Sequence, residues 1–169
     1  MQIVTDTGMD LYLPPEEMPD IPIHIVRHTI TLNGKTYRSG EDIQSDELYR
    51  MLAETDSFPI TSQPAAGDYA DMYRKLAQTD PDILSIQMSS GLSGSVNAAQ
   101  AGAQMVPEAN ITIVDGKTLS GPLGWQVAAA ARAVKAGWPV ERIVKLVQDI
   151  VAVSDAIYTL DDLRYLIHG

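Results

Sequence analysis

The chain has 169 residues, 45% of them hydrophobic, which is long enough for one domain with its own core. A formal charge of −10 leaves no basic surface for nucleic acid, and the lack of cysteine excludes disulfides and thiolate chemistry. No apolar run can span a bilayer, since even the richest, residues 127–134, is mostly alanine and contains Arg132.

In chain order, residues 2–5 read as a first strand that begins without a basic, apolar leader, so a soluble cytoplasmic protein is expected. Residues 21–26 read as a second strand. Residues 29–32 and 35–38 form a hairpin around Asn33-Gly34, the dipeptide that best suits a tight turn between β-prone runs. Ser45 is placed to cap a helix with Asp46 and Glu47 in its first turn and Leu48, Met51 and Leu52 on its inner face. Ile60-Thr61-Ser62-Gln63-Pro64 is a hydroxyl-rich turn whose proline suits a helix start. Tyr69, Met72, Tyr73 and Leu76 then recur at helical spacing, the two tyrosines as core.

An apolar strand at 83–88 runs into Ser89-Ser90-Gly91-Leu92-Ser93-Gly94-Ser95, and Leu92, Val96, Ala99, Ala103 and Val106 mark the inner stripe of the next helix. Small hydroxyls and free N–H groups at a helix start can hold a carboxylate or phosphate without Lys or Arg. Residues 111–114 are another buried strand, and residues 115–121 lead into an alanine-rich helix. Gly137 ends that helix, and Pro139 begins one with Val140, Ile143, Val144, Val147 and Ile150 inward. Residues 155–159 read as a last strand. Trp125 and Trp138 are expected in the core or between lobes.

Strands alternating with helices predict an α/β fold, a three-layer α/β/α sandwich with a mostly parallel sheet. In such folds ligands sit beyond the carboxyl ends of the strands, which is where Thr5-Asp6-Thr7, residues 89–95 and residues 115–121 fall. Asp6 is placed either to orient hydroxyls near a ligand or to cap the turn after its strand, with the structural role preferred. His24 and His28 would be about 13 Å apart on an extended strand with no carboxylate to join them, so no metal site is expected; they are assigned to solvated or interlobe surface.

Taken together, Ile3-Val4-Thr5-Asp6-Thr7-Gly8, the Gly34-Lys35-Thr36-Tyr37 hairpin, Thr61-Ser62-Gln63-Pro64, residues 89–94, Ile113-Val114-Asp115 and the closing segment 159–166 resemble the DegV family in order over almost the whole chain. The resemblance implies an EDD-type N-terminal domain over residues 1–158. Residues 159–169 would begin the connection to a C-terminal α/β domain that lies beyond this chain, together with an arginine and a histidine of the family's site. It further implies a carrier that binds a long-chain fatty acid and presents the carboxylate to a fatty-acid kinase subunit, which makes the acyl phosphate. Carried over by position, the carboxylate contacts fall on Thr61 and Ser93, with Ser62 and Gly94 as backbone helpers; Asp6, Thr7, Ser90 and Asp115 stand behind them. No cofactor is expected beyond the fatty acid, and self-association of the isolated lobe is.

Two other classes stay open. Gly91-Leu92-Ser93-Gly94-Ser95 comes within one residue of the Gly-x-Ser-x-Gly elbow of serine hydrolases, with Ser93 as nucleophile, but no histidine follows at the expected place. A phosphosugar or phosphotransfer site would use the same hydroxyl edge, yet wants a reactive histidine on a loop. Phosphoryl-transfer machinery is missing from the sequence itself: there is no Gly-x-x-x-x-Gly-Lys-Ser/Thr loop.

Overall fold

The computed structural model describes residues 1–11, 13 and 20–159. Residues 160–169, most of the expected connection to a second domain and His168 with them, lie outside the described residues. In chain order the elements are β1 (Gln2–Asp6), β2 (Ile23–Val26), β3 (Thr29–Leu32), β4 (Lys35–Arg38), α1 (Ser45–Ala53), β5 (Ile60–Ser62), α2 (Ala66–Ala77), β6 (Asp82–Gln87), α3 (Ser95–Gln104), β7 (Asn110–Asp115), α4 (Ser120–Lys135) and α5 (Val140–Val153).

Four strands form a wholly parallel sheet in the order β2-β1-β6-β7. Alternate residues of β1 serve opposite faces. Ile3 joins Leu84, Ile86 and Val114 beneath α4 and α5, while Val4 joins Val26 and Ile83 beneath α2 and α3. Two covered faces explain why β6 is buried along all but its first residue. Ala130 and Ala131 are fully buried where α4 meets the sheet, so the small side chains bring that helix close. The three-layer α/β/α sandwich is therefore present.

A second sheet, antiparallel in the order β4-β3-β5, is inserted between β2 and α2. Its hairpin turns at Asn33 and Gly34, both with positive φ (52° and 75°), as a primed turn requires. The expected hydroxyl turn at 60–62 is its third strand: Thr61 pairs with Ile30 and Ser62 with Thr29. Three residues are too few for a period-2 pattern to show in the sequence.

Other expectations shift locally. Gln44, not Ser45, caps α1, and Leu48, Met51 and Leu52 are only half-buried. Leu92 is 63% exposed rather than inward, because Leu92 and Ser93 both donate their N–H groups to the Ser89 carbonyl (3.0 Å each) and α3 starts only at Ser95. Residues 155–159 form no strand: no described strand runs beside them, and Ile157 is 89% exposed. Trp138 packs against the α4–α5 core with the Arg142 guanidinium 3.5 Å from its ring centroid, whereas Trp125 is exposed.

Candidate functional site

β1 has β2 on one side and β6 on the other, so the connections leaving β1 and β6 part in opposite directions and leave a crevice at the carboxyl end of the sheet. Asp6, fully buried at the end of β1, spans this point. One carboxylate oxygen accepts the Gly8 N–H at 2.8 Å and the other the Met88 N–H at 3.1 Å, which ties the two loops together. These two bonds brace the turn after the strand.

Above Asp6 a cavity of about 440 Å³ is lined by Thr7 and Gly8 after β1, His28 after β2, and Met88, Leu92, Ser93 and Gly94 after β6. The antiparallel sheet closes the other side with Ile30, Thr61 and Gln63. The two residues assigned to the carboxylate, Thr61 in β5 and Ser93 in the loop after β6, therefore line one space, with Thr7 and Gly94 beside them.

Each hydroxyl has its own surroundings. The Ser93 Oγ accepts the Ser95 N–H at 3.2 Å and lies 2.9 Å from Ser95 Oγ. Thr61 Oγ1 has no hydrogen-bond partner among the described residues and is free to donate. Gly94 differs from expectation: its N–H already donates to Gln63 Oε1 at 2.8 Å, so Gln63 pins β5 to the start of α3. Ser62 is exposed and does not line the cavity.

Ser90 and Asp115 also stand apart from it. Asp115 Oδ1 accepts the Ser90 N–H at 3.2 Å and the Lys117 N–H at 3.0 Å, and Oδ2 pairs with the Lys117 ammonium at 2.7 Å. Burial raises the Asp115 pKa, but these hydrogen bonds outweigh it and hold the carboxyl below its ordinary value. Both residues brace the turn from behind. Gly116 is where a side chain has no room, since a Cβ would come within 2.9 Å of Leu123, Gln126 and the Gln87 carbonyl.

The residue missed in the sequence is His28. Its Nδ1 is 2.9 Å from Thr7 Oγ1, and its Nε2 is 3.2 Å from Ser95 Oγ and 3.5 Å from Ser93 Oγ. Burial lowers its pKa, with the Asp6 charge acting the other way. It follows β2 by two residues, so the strand-end rule that selected Thr7 and Ser93 applies to it equally. His24, by contrast, faces Gln2 at 3.2 Å, away from this cluster.

Behind Ser95 the polar chain continues into the core. Tyr69 donates to Gln87 Oε1 at 2.8 Å, Gln87 donates to Ser85 Oγ at 2.8 Å, and Tyr73 Oη lies 2.7 Å from Ser85 Oγ. Burial raises the pKa of both hydroxyls, that of Tyr73 to about 12, so both tyrosines stay neutral. Among the described residues no group of three or more His, Cys, Asp or Glu side chains is arranged to hold a metal ion. None of their helices is long and apolar enough to cross a membrane.

Comparison with known proteins places this geometry in context. A family model described as "Uncharacterised protein, DegV family" matches residues 1–169. A DegV domain-containing protein of Listeria innocua is 32% identical over 168 residues, covering 99% of this chain and 59% of the relative. Among solved structures, DegV from Bacillus subtilis, a fatty acid binding protein, superposes with a TM-score of 0.81 at 26% identity over 89% of this chain and 53% of that one. A fatty-acid-binding DegV family protein from Thermus thermophilus gives 0.79 at 30% identity, over 89% and 53%. The chain thus spans little more than half the length of these three proteins.

Proposed function

Since the chain belongs to the DegV family, we propose that it forms the carboxylate-holding lobe of a cytoplasmic long-chain fatty-acid carrier, which presents the head group to a fatty-acid kinase subunit. One observation carries this reading: Thr61 in β5 of the antiparallel sheet and Ser93 in the loop after β6 of the parallel sheet line one cavity beside the start of α3. A helix N-terminus and two hydroxyl donors stabilise a carboxylate without a formal positive charge. The apolar members of the lining, Ile30, Met88 and Leu92, suit the first methylenes of an acyl chain. The net charge of −10 slows the approach of an anion but is screened beyond roughly 8 Å at physiological salt, so local donors decide binding.

Ser93→Ala is expected to weaken fatty-acid binding by about ten- to a hundredfold, the range for a hydrogen bond to a charged group of about 1.5–3 kcal/mol. Titration of a fluorescent fatty acid measures it, and unchanged affinity removes Ser93 from the site. Presentation is tested separately: acyl phosphate should appear when loaded carrier, kinase subunit and ATP are combined, and not when the carrier is omitted.

A second reading, ester hydrolysis at Ser93, gains from the position of His28 Nε2, 3.5 Å from Ser93 Oγ. The ring's other nitrogen meets a threonine hydroxyl instead of a carboxylate, unlike the arrangement that activates a serine. Turnover of p-nitrophenyl octanoate that is lost in Ser93→Ala would establish hydrolysis.

A further inference from the structure

We propose that His28 is a positioning residue, held by Thr7 as the neutral Nε2–H tautomer, which turns the Ser93 hydroxyl proton into the cavity and makes the site select an anionic head group. The inference rests on the carrier reading for the identity of the anion, and on the polar contacts around the ring for everything else.

Thr7 Oγ1 already accepts the backbone N–H of His28 at 3.0 Å, and Nδ1 of the same residue is 2.9 Å away. If the threonine proton points at Nδ1, both groups are satisfied. If instead Nδ1 carried the proton, Thr7 would accept twice, and its own proton would have no partner among the described residues. On the other side of the ring two oxygens lie within reach of Nε2, Ser95 Oγ at 3.2 Å and Ser93 Oγ at 3.5 Å. The nearer of the two, Ser95 Oγ, takes the Nε2–H, and Ser93 Oγ at 3.5 Å is left to its other donors.

The consequence passes along the hydroxyls. With Nε2–H donating to Ser95, the Ser95 proton is free to point at Ser93 Oγ, 2.9 Å away, which also accepts the Ser95 backbone N–H. Both lone pairs of Ser93 are then filled, and its proton can point only into the cavity. The opposite tautomer reverses the side-chain steps: Ser95 donates to Nε2, Ser93 donates to Ser95, and Ser93 turns its one remaining lone pair, rather than its proton, to the ligand. That would repel a carboxylate. His28 thus fixes the sign of the dipole that a ligand meets. Burial keeps the ring neutral near pH 7, so the selection works through hydrogen-bond direction rather than charge.

Nitrogen-15 spectra of the histidine-labelled chain test this directly. For His28, Nε2 should resonate as a protonated nitrogen and Nδ1 as a bare one, and Thr7→Val should abolish that preference. The Nδ1–H tautomer or an imidazolium at neutral pH overturns the inference. A binding arm uses octanoate and octan-1-ol. His28→Leu should weaken octanoate about tenfold relative to octanol, and His28→Gln, whose amide can donate from a similar position, should restore most of it. An unchanged octanoate-to-octanol ratio in His28→Leu overturns the inference even if the tautomer is right. If the wild-type chain binds no octanoate, the carrier reading falls for this chain, and the nitrogen spectra alone decide the role of His28.

Discussion

Asp6 holds two loops with one carboxylate, using a different oxygen for each N–H group. Asparagine has the same shape but a single acceptor, so Asp6→Asn leaves one buried N–H without a partner. The expected loss is about 1–3 kcal/mol of stability, read from the urea midpoint at constant m value. His28 and His24 make a different prediction, because burial lowers the pKa of each below the ordinary 6.5. The unfolded chain then binds protons that the folded chain refuses, and unfolding takes up protons below that value. Stability present above pH 6.5 should fall as pH drops from 7.5 towards 5, and His28→Gln should flatten the decline. A chain equally stable at both ends of that interval would contradict the burial of these rings. At this scale the sequence exposed Thr61, Ser93, Thr7 and Asp6, since hydroxyls and carboxylates at strand ends are visible as motifs. His28 was hidden because it stands in a run of β-prone residues, and only the end of β2 at Val26 puts it in a loop.

At the scale of elements, α2 and α3 cross with little room between them. A Cβ at Gly102 would lie 2.7 Å from both the Ala66 carbonyl oxygen and Tyr69 Cβ. Backbone cannot yield as a flexible side chain does, so Gly102→Ala must push the helices apart at a cost of about 1–3 kcal/mol. Gly67, on the facing helix α2, has nothing within 4 Å of its Cβ position, and Gly67→Ala should instead stabilise by about 0.5–1 kcal/mol. Thermal melts of the two variants should move in opposite directions; equal shifts would mean that helix propensity outweighs the crossing. The longer helices α2, α4 and α5 were legible because each extends over three or more turns. Short elements were not: β5 looked like a turn, and the stretch at 155–159 looked like a strand although β structure needs a neighbour to pair with.

For the whole molecule, the layered architecture followed from the alternation of strands and helices, which forces a parallel sheet covered on both faces. The inserted antiparallel sheet did not follow, because no local pattern says that residues 29–38 pair with residues 60–62 rather than with the main sheet. Large apolar side chains stay outside both cores: Tyr49 is 68% exposed, Ile60 64%, Leu92 63% and Trp125 55%. Exposed apolar surface of this kind favours association. The chain is expected to gain mass with concentration in sedimentation equilibrium, and Ile60→Thr with Leu92→Ser should shift it towards monomer. A strictly monomeric profile at high concentration would show that these side chains are too dispersed to bind a second copy.

The central position of β1 also governs when the fold can form. Its partners are Ile23–Val26 on one edge and Ile83–Ser85 on the other, so one contact is about 20 residues away along the chain and the other about 80, near its midpoint. During synthesis β1 and β2 must wait, with an open strand edge, until β6 emerges, and such long-range pairing is slow to form. The cavity inherits that delay, since its walls come from residues 7 to 94 and its floor is the junction of β1 with β6. The cavity walls are therefore complete only after the last strand of the central pair: a nascent chain ending before Ser93 has Thr61 and His28 but not the residues that line the opposite side.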